Sequence, residues 1–140
     1  MKKMKCTLDK DAFVPIRAHR DDAGLDLRTP IDVTVPKGGS VAIDTGFHCA
    51  IPKGYFGKLE SKSGLNVKHG VVSLGGTIDC GYTGSIVAKL YNFGDEDYHF
   101  KAGDKIVQMI LVPYIAPAIR FVDKLDDTDR GNKGFGSTGA

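Results

Sequence analysis

Val71-Val72-Ser73-Leu74-Gly75-Gly76-Thr77-Ile78-Asp79-Cys80-Gly81-Tyr82-Thr83-Gly84-Ser85-Ile86-Val87-Ala88-Lys89-Leu90-Tyr91 reads as two β-like runs joined through a glycine-rich bend. Between positions 75 and 84 four glycines bracket one carboxylate, Asp79, and one aromatic ring, Tyr82. Glycine lets a backbone turn tightly and approach a ligand without Cβ obstruction. The flanking runs, 71–74 and 85–91, have strand character, so the segment is a wide β-hairpin or a strand with a sharp bend. A small-molecule pocket fits that combination. So does a plain hairpin with a solvated Asp and a packing Tyr, because turn chemistry alone accounts for Gly and Asp.

Working outward, the same period-2 pattern recurs. Ile31, Val33 and Val35 share one face, and Pro36-Lys37-Gly38-Gly39 forms the exit turn. Runs 41–44, 47–51, 55–59, 105–112 and 118–122 are further short strands, punctuated by Gly, Pro or Asp/Asn. Only 61–68 reads as a short helical turn, with a serine available to cap it. The class is therefore all-β, in the form of a sandwich, a distorted jelly roll or a partly closed barrel. One domain is expected at 140 residues, enough to bury a core: a β-domain over 1–125, followed by a glycine-rich C-terminal arm over 126–140. That arm cannot offset the entropy of ordering by itself, which makes it either a frayed end or a phosphate cradle of Arg, Gly, Ser and Thr.

Lys and Arg total 19 against 17 Asp and Glu, a formal net charge of +2. This balance argues against direct nucleic-acid binding, which calls for a basic stripe interleaved with aromatics. No apolar run approaches the roughly 20 residues of a membrane span, and the three cysteines form no CxxC pair. A cytoplasmic, reducing setting without a membrane partner is the expectation.

Three further groups carry chemistry. Asp26, between two leucines, is costly to bury without a partner; Mg²⁺ bound through bridging groups is one answer and a strand-edge turn another. Ser61-Lys62-Ser63-Gly64 offers hydroxyls, N–H groups and an ammonium to an anion, or a simple N-cap. Gln108 is the one neutral polar side chain in an apolar run, pointing outward by default or toward a ligand.

In their order along the chain these groups resemble the five motifs of the homotrimeric dUTP diphosphatase (dUTPase) family, over positions 23–139. The resemblance implies hydrolysis of dUTP to dUMP and pyrophosphate with Mg²⁺, held mainly through substrate phosphates and water. It also implies a homotrimer whose active sites are shared between subunits. Asp26 would organise the metal and catalytic site. Lys62, Ser63 and Gly64 would bind the phosphate chain, with Lys62 where the family usually has Arg, a loss of the two-pronged donor. Gly76 and Ile78 would read uracil through the backbone, Asp79 would act as general base, and Tyr82 would pack on the deoxyribose. Gly81 stands where a second Asp is frequent. Gln108 would order the attacking water or touch phosphate. Arg130 would contact the terminal phosphate, Phe135 would cover the base, and Gly136, Ser137 and Thr138 would wrap the triphosphate. Two alternatives keep the fold and change the role: a dCTP deaminase-like enzyme, or a nucleotide-gated protein with a regulatory partner.

Overall fold

Alternation of apolar and polar residues turns into short antiparallel strands throughout the computed structural model, which describes residues 3–134. In chain order these are β1 (Cys6–Leu8), β2 (Leu25–Arg28), β3 (Val33–Val35), β4 (Ser40–Asp44), β5 (Phe47–Cys49) and β6 (Tyr55–Glu60). A helix, α1 (Ser63–His69), is followed by β7 (Val71–Ser73), β8 (Thr77–Ile78), β9 (Val87–Asn92), β10 (Tyr98–Phe100) and β11 (Lys105–Pro113). Hydrogen bonding orders them as a four-stranded sheet β2-β11-β6-β8, a three-stranded sheet β4-β9-β7, and the pairs β1-β5 and β10-β3. Leu27 and Met109 on the larger sheet belong to one buried cluster with Ile43, Ala88 and Leu90 on the smaller. The result is the expected all-β, jelly-roll-like packing; among the described residues the sheets stay separate rather than closing into a barrel.

β7 and β9 pair antiparallel with Ser73 opposite Leu90, so 71–91 is the wide hairpin, and β8 leaves it to pair with β6. β11 departs from simple alternation. Ile106 and Val107 are both buried because the pairing with β2 shifts register between Lys105 and Val107, a bulge that adds one residue to the strand.

Two expectations need correction. Residues 118–122 form no strand: Ile119 is 86% and Phe121 94% exposed. An extended apolar run becomes a strand only where a ladder partner lies alongside, and no described strand of this chain does. The helix begins at Ser63 with Lys62 at the N-cap position and no side-chain cap. The Ser61 hydroxyl is engaged elsewhere, donating to the Ser73 carbonyl at 3.2 Å and accepting from the Ser73 N–H at 2.8 Å, which ties β6 to β7.

Candidate active site

Asp26 lies on β2 with its carboxylate buried, and the cost of burying it is met by two ammonium groups. Lys62 Nζ is 2.5 Å from Oδ1 and Lys105 Nζ is 3.0 Å from Oδ2. Gln108 on β11 stands opposite Asp26 on one side and Glu60 of β6 on the other. Its Nε2 donates to the Ser61 carbonyl at 3.1 Å. The side chain is thus half-buried and directed toward the Ser61–Lys62 turn, not outward. Gly24 makes room for it: a Cβ there would lie 2.0 Å from Gln108 Oε1. Ser63 and Gly64 are exposed at the start of α1, next to Lys62.

Lys105 is the member of this group that the sequence conceals. It lies three positions before Gln108, an odd offset that in a regular strand sets the two on opposite faces. The bulge places Lys105 opposite Arg28 and Gln108 opposite Asp26, so both share the Asp26 face.

Asp79 follows β8 and is exposed, with no ion pair among the described residues. Its carbonyl accepts from the Tyr82 N–H at 3.0 Å, closing the turn. Tyr82 folds its ring over Gly84, where a Cβ would meet the hydroxyl oxygen at 2.4 Å, and its hydroxyl donates to the Ser85 carbonyl at 2.9 Å. Thr77, Ile78, Asp79, Tyr82, Ser85 and Val87 line a cavity of about 230 Å³. Gly76 has φ +92°, and its carbonyl accepts from the Leu59 N–H at 2.9 Å, which anchors the bend on β6.

The far side of the bend is held from β4 and β5. The Ser85 hydroxyl donates to the Asp44 carboxylate, and this bond with the Gly46 N–H holds that carboxyl below its usual range. His48 Nδ1 is 2.9 Å from the Thr83 carbonyl and Nε2 is 3.1 Å from Asp9 Oδ1. The Thr83 bond first, then Asp9, raise the imidazole pKa above 6.5. Neither His48 nor Asp44 carries a motif that sequence reading could have used.

The two clusters lie apart. Asp26 and Ile78 are separated by two intervening strands and three residues along them, roughly 17 Å by ordinary strand spacing and rise. Arg130 is exposed, its Nε donating to the Lys133 carbonyl at 3.1 Å, and among the described residues it makes no hydrogen bond or ion pair to either cluster. Phe135, Gly136, Ser137 and Thr138 lie outside the described residues.

The described residues contain no cluster of three or more His, Cys, Asp or Glu able to hold a metal. The buried Asp26 carboxylate is already paired by two cations. Such a donor set fits a cation that arrives on an anionic ligand and keeps water ligands, and does not fit an all-protein cage.

The dUTPase family model matches residues 10–139. The deoxyuridine 5'-triphosphate nucleotidohydrolase of Paramecium bursaria Chlorella virus 1 is 42% identical over 132 residues, 94% of each chain. The enzyme of that name from Gloeothece citriformis is 41% identical, covering 98% of this chain and 97% of its own. Among solved structures, Staphylococcus bacteriophage 80alpha dUTPase with dUPNHPP superposes with a TM-score of 0.93 at 28% identity over the whole of both chains. A mutant dUTPase of S. aureus phage phi11, described for its coordination of a structural Mg(II) ion, has a TM-score of 0.81 at 27% identity, covering 88% of this chain and 98% of that one. With a family model spanning nearly its full length and relatives near 40% identity across it, this chain belongs to the dUTPase family.

Proposed function

We infer that this protein hydrolyses dUTP to dUMP and pyrophosphate, with Asp79 as the general base. The observation that carries the assignment is the state of that carboxylate: exposed, free of any described ion pair, and beside an aromatic ring folded over glycine. A general base must be free to accept a proton, and Asp26, clamped by two ammonium groups, is not. Asp79 takes the proton from a water attacking the α-phosphorus, and Gln108 orders that water or a phosphate oxygen. Tyr82 packs on the deoxyribose, while the backbone at Gly76 and Ile78 reads the uracil edge. Lys62, Ser63 and Gly64 hold the phosphate chain, with Arg130 on its last phosphate. Asp26 keeps Lys62 and Lys105 in position. Mg²⁺, carried by the triphosphate and water, neutralises charge on the phosphates when bound.

The distance between the Asp26 and Asp79 clusters supports a homotrimer in which each site combines residues of different subunits. The exposed apolar side chains of 115–125 support it too, since a second copy would cover them. Residues 126–140 serve as an arm that closes the site, with Phe135 over the base and Gly136, Ser137 and Thr138 around the triphosphate. The three free thiols support a reducing, cytoplasmic setting.

Pyrophosphate release, measured across dUTP, dTTP, dCTP and UTP with and without Mg²⁺, tests the assignment. Turnover of dUTP alone, dependent on the cation, is expected. Ammonia from dCTP, or intact dUTP at saturating Mg²⁺, would overturn it.

A further inference from the structure

β1 touches the rest of the fold as an edge strand, and all three of its residues are exposed. Among the described residues its one strand partner is β5, with Cys6 directly opposite Cys49. The ladder on either side reveals which kind of pair this is. Ala50 N donates to the Lys5 carbonyl at 2.9 Å, and Asp9 N to the Gly46 carbonyl at 2.8 Å. Hydrogen-bonded pairs alternate along an antiparallel ladder, so positions 5/50 and 9/46 bond while 6/49 falls between, at a non-hydrogen-bonded pair. There the Cα atoms approach to about 4.5 Å with both side chains on one face, inside the window of about 4.4 to 6.8 Å that a disulfide spans.

Access is asymmetric. Cys6 is exposed, its thiol within 3.5 Å of the Met4 carbonyl, whereas Cys49 is buried. A cavity of about 180 Å³, lined by Lys5, Cys6, His48, Cys49 and Thr83, opens onto the pair. Lys5 is among the lining residues, and its positive charge favours an anionic small disulfide. Burial raises the pKa of both thiols, and with Cys6 adding to it pushes Cys49 up to about 11, so the exposed Cys6 is the thiol that reacts first.

We propose that Cys6 and Cys49 form a reversible cross-strand disulfide on exposure to an anionic low-molecular-weight disulfide of the glutathione type, locking β1 onto β5. The Cys6 thiolate attacks one sulfur of the small disulfide; a mixed disulfide forms and one small thiolate leaves. Cys49 then gives its proton to solvent and attacks Cys6 Sγ. The Sγ–Sγ bond forms, the bond to the small thiol breaks, and the second thiolate departs. Two protein thiols lose two electrons and the small disulfide gains them. Cys80 takes no part: it lies in the Asp79 bend, with its sulfur 3.6 Å from the Tyr114 hydroxyl.

The test uses the full chain, reduced and then incubated with glutathione disulfide, followed by peptide mapping without reductant. A linked Cys6–Cys49 peptide is expected in a chain lighter by two hydrogens, and dithiothreitol should reverse it. Cys80→Ser should behave identically, and the conservative, exposed Cys6→Ser should fold normally and form no link. Hydrogen exchange at the β1 amides should slow by roughly tenfold in the oxidised form, because fraying of a terminal edge strand is what the bond prevents. A chain that keeps Cys49 free, stops at glutathione on Cys6, or links through Cys80 refutes the pairing. Equal β1 exchange in the two forms refutes the lock.

Discussion

At the scale of single residues the site divides into carboxylates that are held and one that is not. Asp79→Asn keeps the shape of the bend and removes the proton acceptor, so kcat should fall by about 10²- to 10⁴-fold while dUTP still binds. A variant with unchanged kcat in stopped-flow pyrophosphate release would remove Asp79 from its role. Asp26 is a different case, because two ammonium groups depend on it. Removing one partner of a buried ion pair costs about 3–5 kcal/mol where the remaining charge stays trapped. Here both lysines are partly exposed and can turn to water, so Asp26→Ala should lose about 2 kcal/mol in denaturant titration. His48 carries a pH dependence. Its folded pKa lies above the ordinary 6.5, through the Thr83 carbonyl first and then Asp9, with Asp44 adding a smaller pull. The stabilisation is therefore complete below the unfolded pKa and fades as pH rises through the folded one. The melting midpoint of the unmodified chain should drop relative to His48→Gln as pH rises above 6.5; parallel profiles would exclude the linkage.

At the scale of elements, glycine decides where the bend can sit. Gly76 combines φ +92° with a would-be Cβ only 2.7 Å from Leu59 Cβ, so both backbone and packing resist a side chain. Gly76→Ala should cost about 2–3 kcal/mol and raise KM for dUTP, measured by thermal melts and initial rates. Gly81 shows the contrast, since nothing lies within 4 Å of an added Cβ. The strands themselves were largely legible, because apolar alternation reports burial of one face. Residues 118–122 carry that same pattern and still form no strand: alternation encodes the face an element offers, and a ladder needs a second strand beside it. The bulge in β11 was illegible for a related reason, since it is a property of the pairing with β2 and no residue type signals it.

At the scale of the molecule, the two clusters and the uncovered apolar run are what support the proposed homotrimer. Truncation after Thr128 should leave a trimer and abolish most turnover. Truncation after Tyr114, which also removes Ile115, Ile119, Phe121 and Leu125, should lower the assembly state. Sedimentation velocity and dUTP turnover on the two truncated chains separate these effects, and a trimer surviving the longer deletion would refute the role given to 115–125.

By itself the sequence determined the all-β class, the glycine bend with its carboxylate, and the family, since alternation, turn chemistry and motif order are local properties carried by residue types. Tertiary structure alone decided that Asp26 is neutralised by Lys105 as well as Lys62, that His48 and Asp44 hold the bend, and that Cys6 faces Cys49. Those contacts join residues from 35 to 79 positions apart, and their partners are chosen by strand order and register, which follow from how the sheets pack and leave no mark on any one stretch of chain.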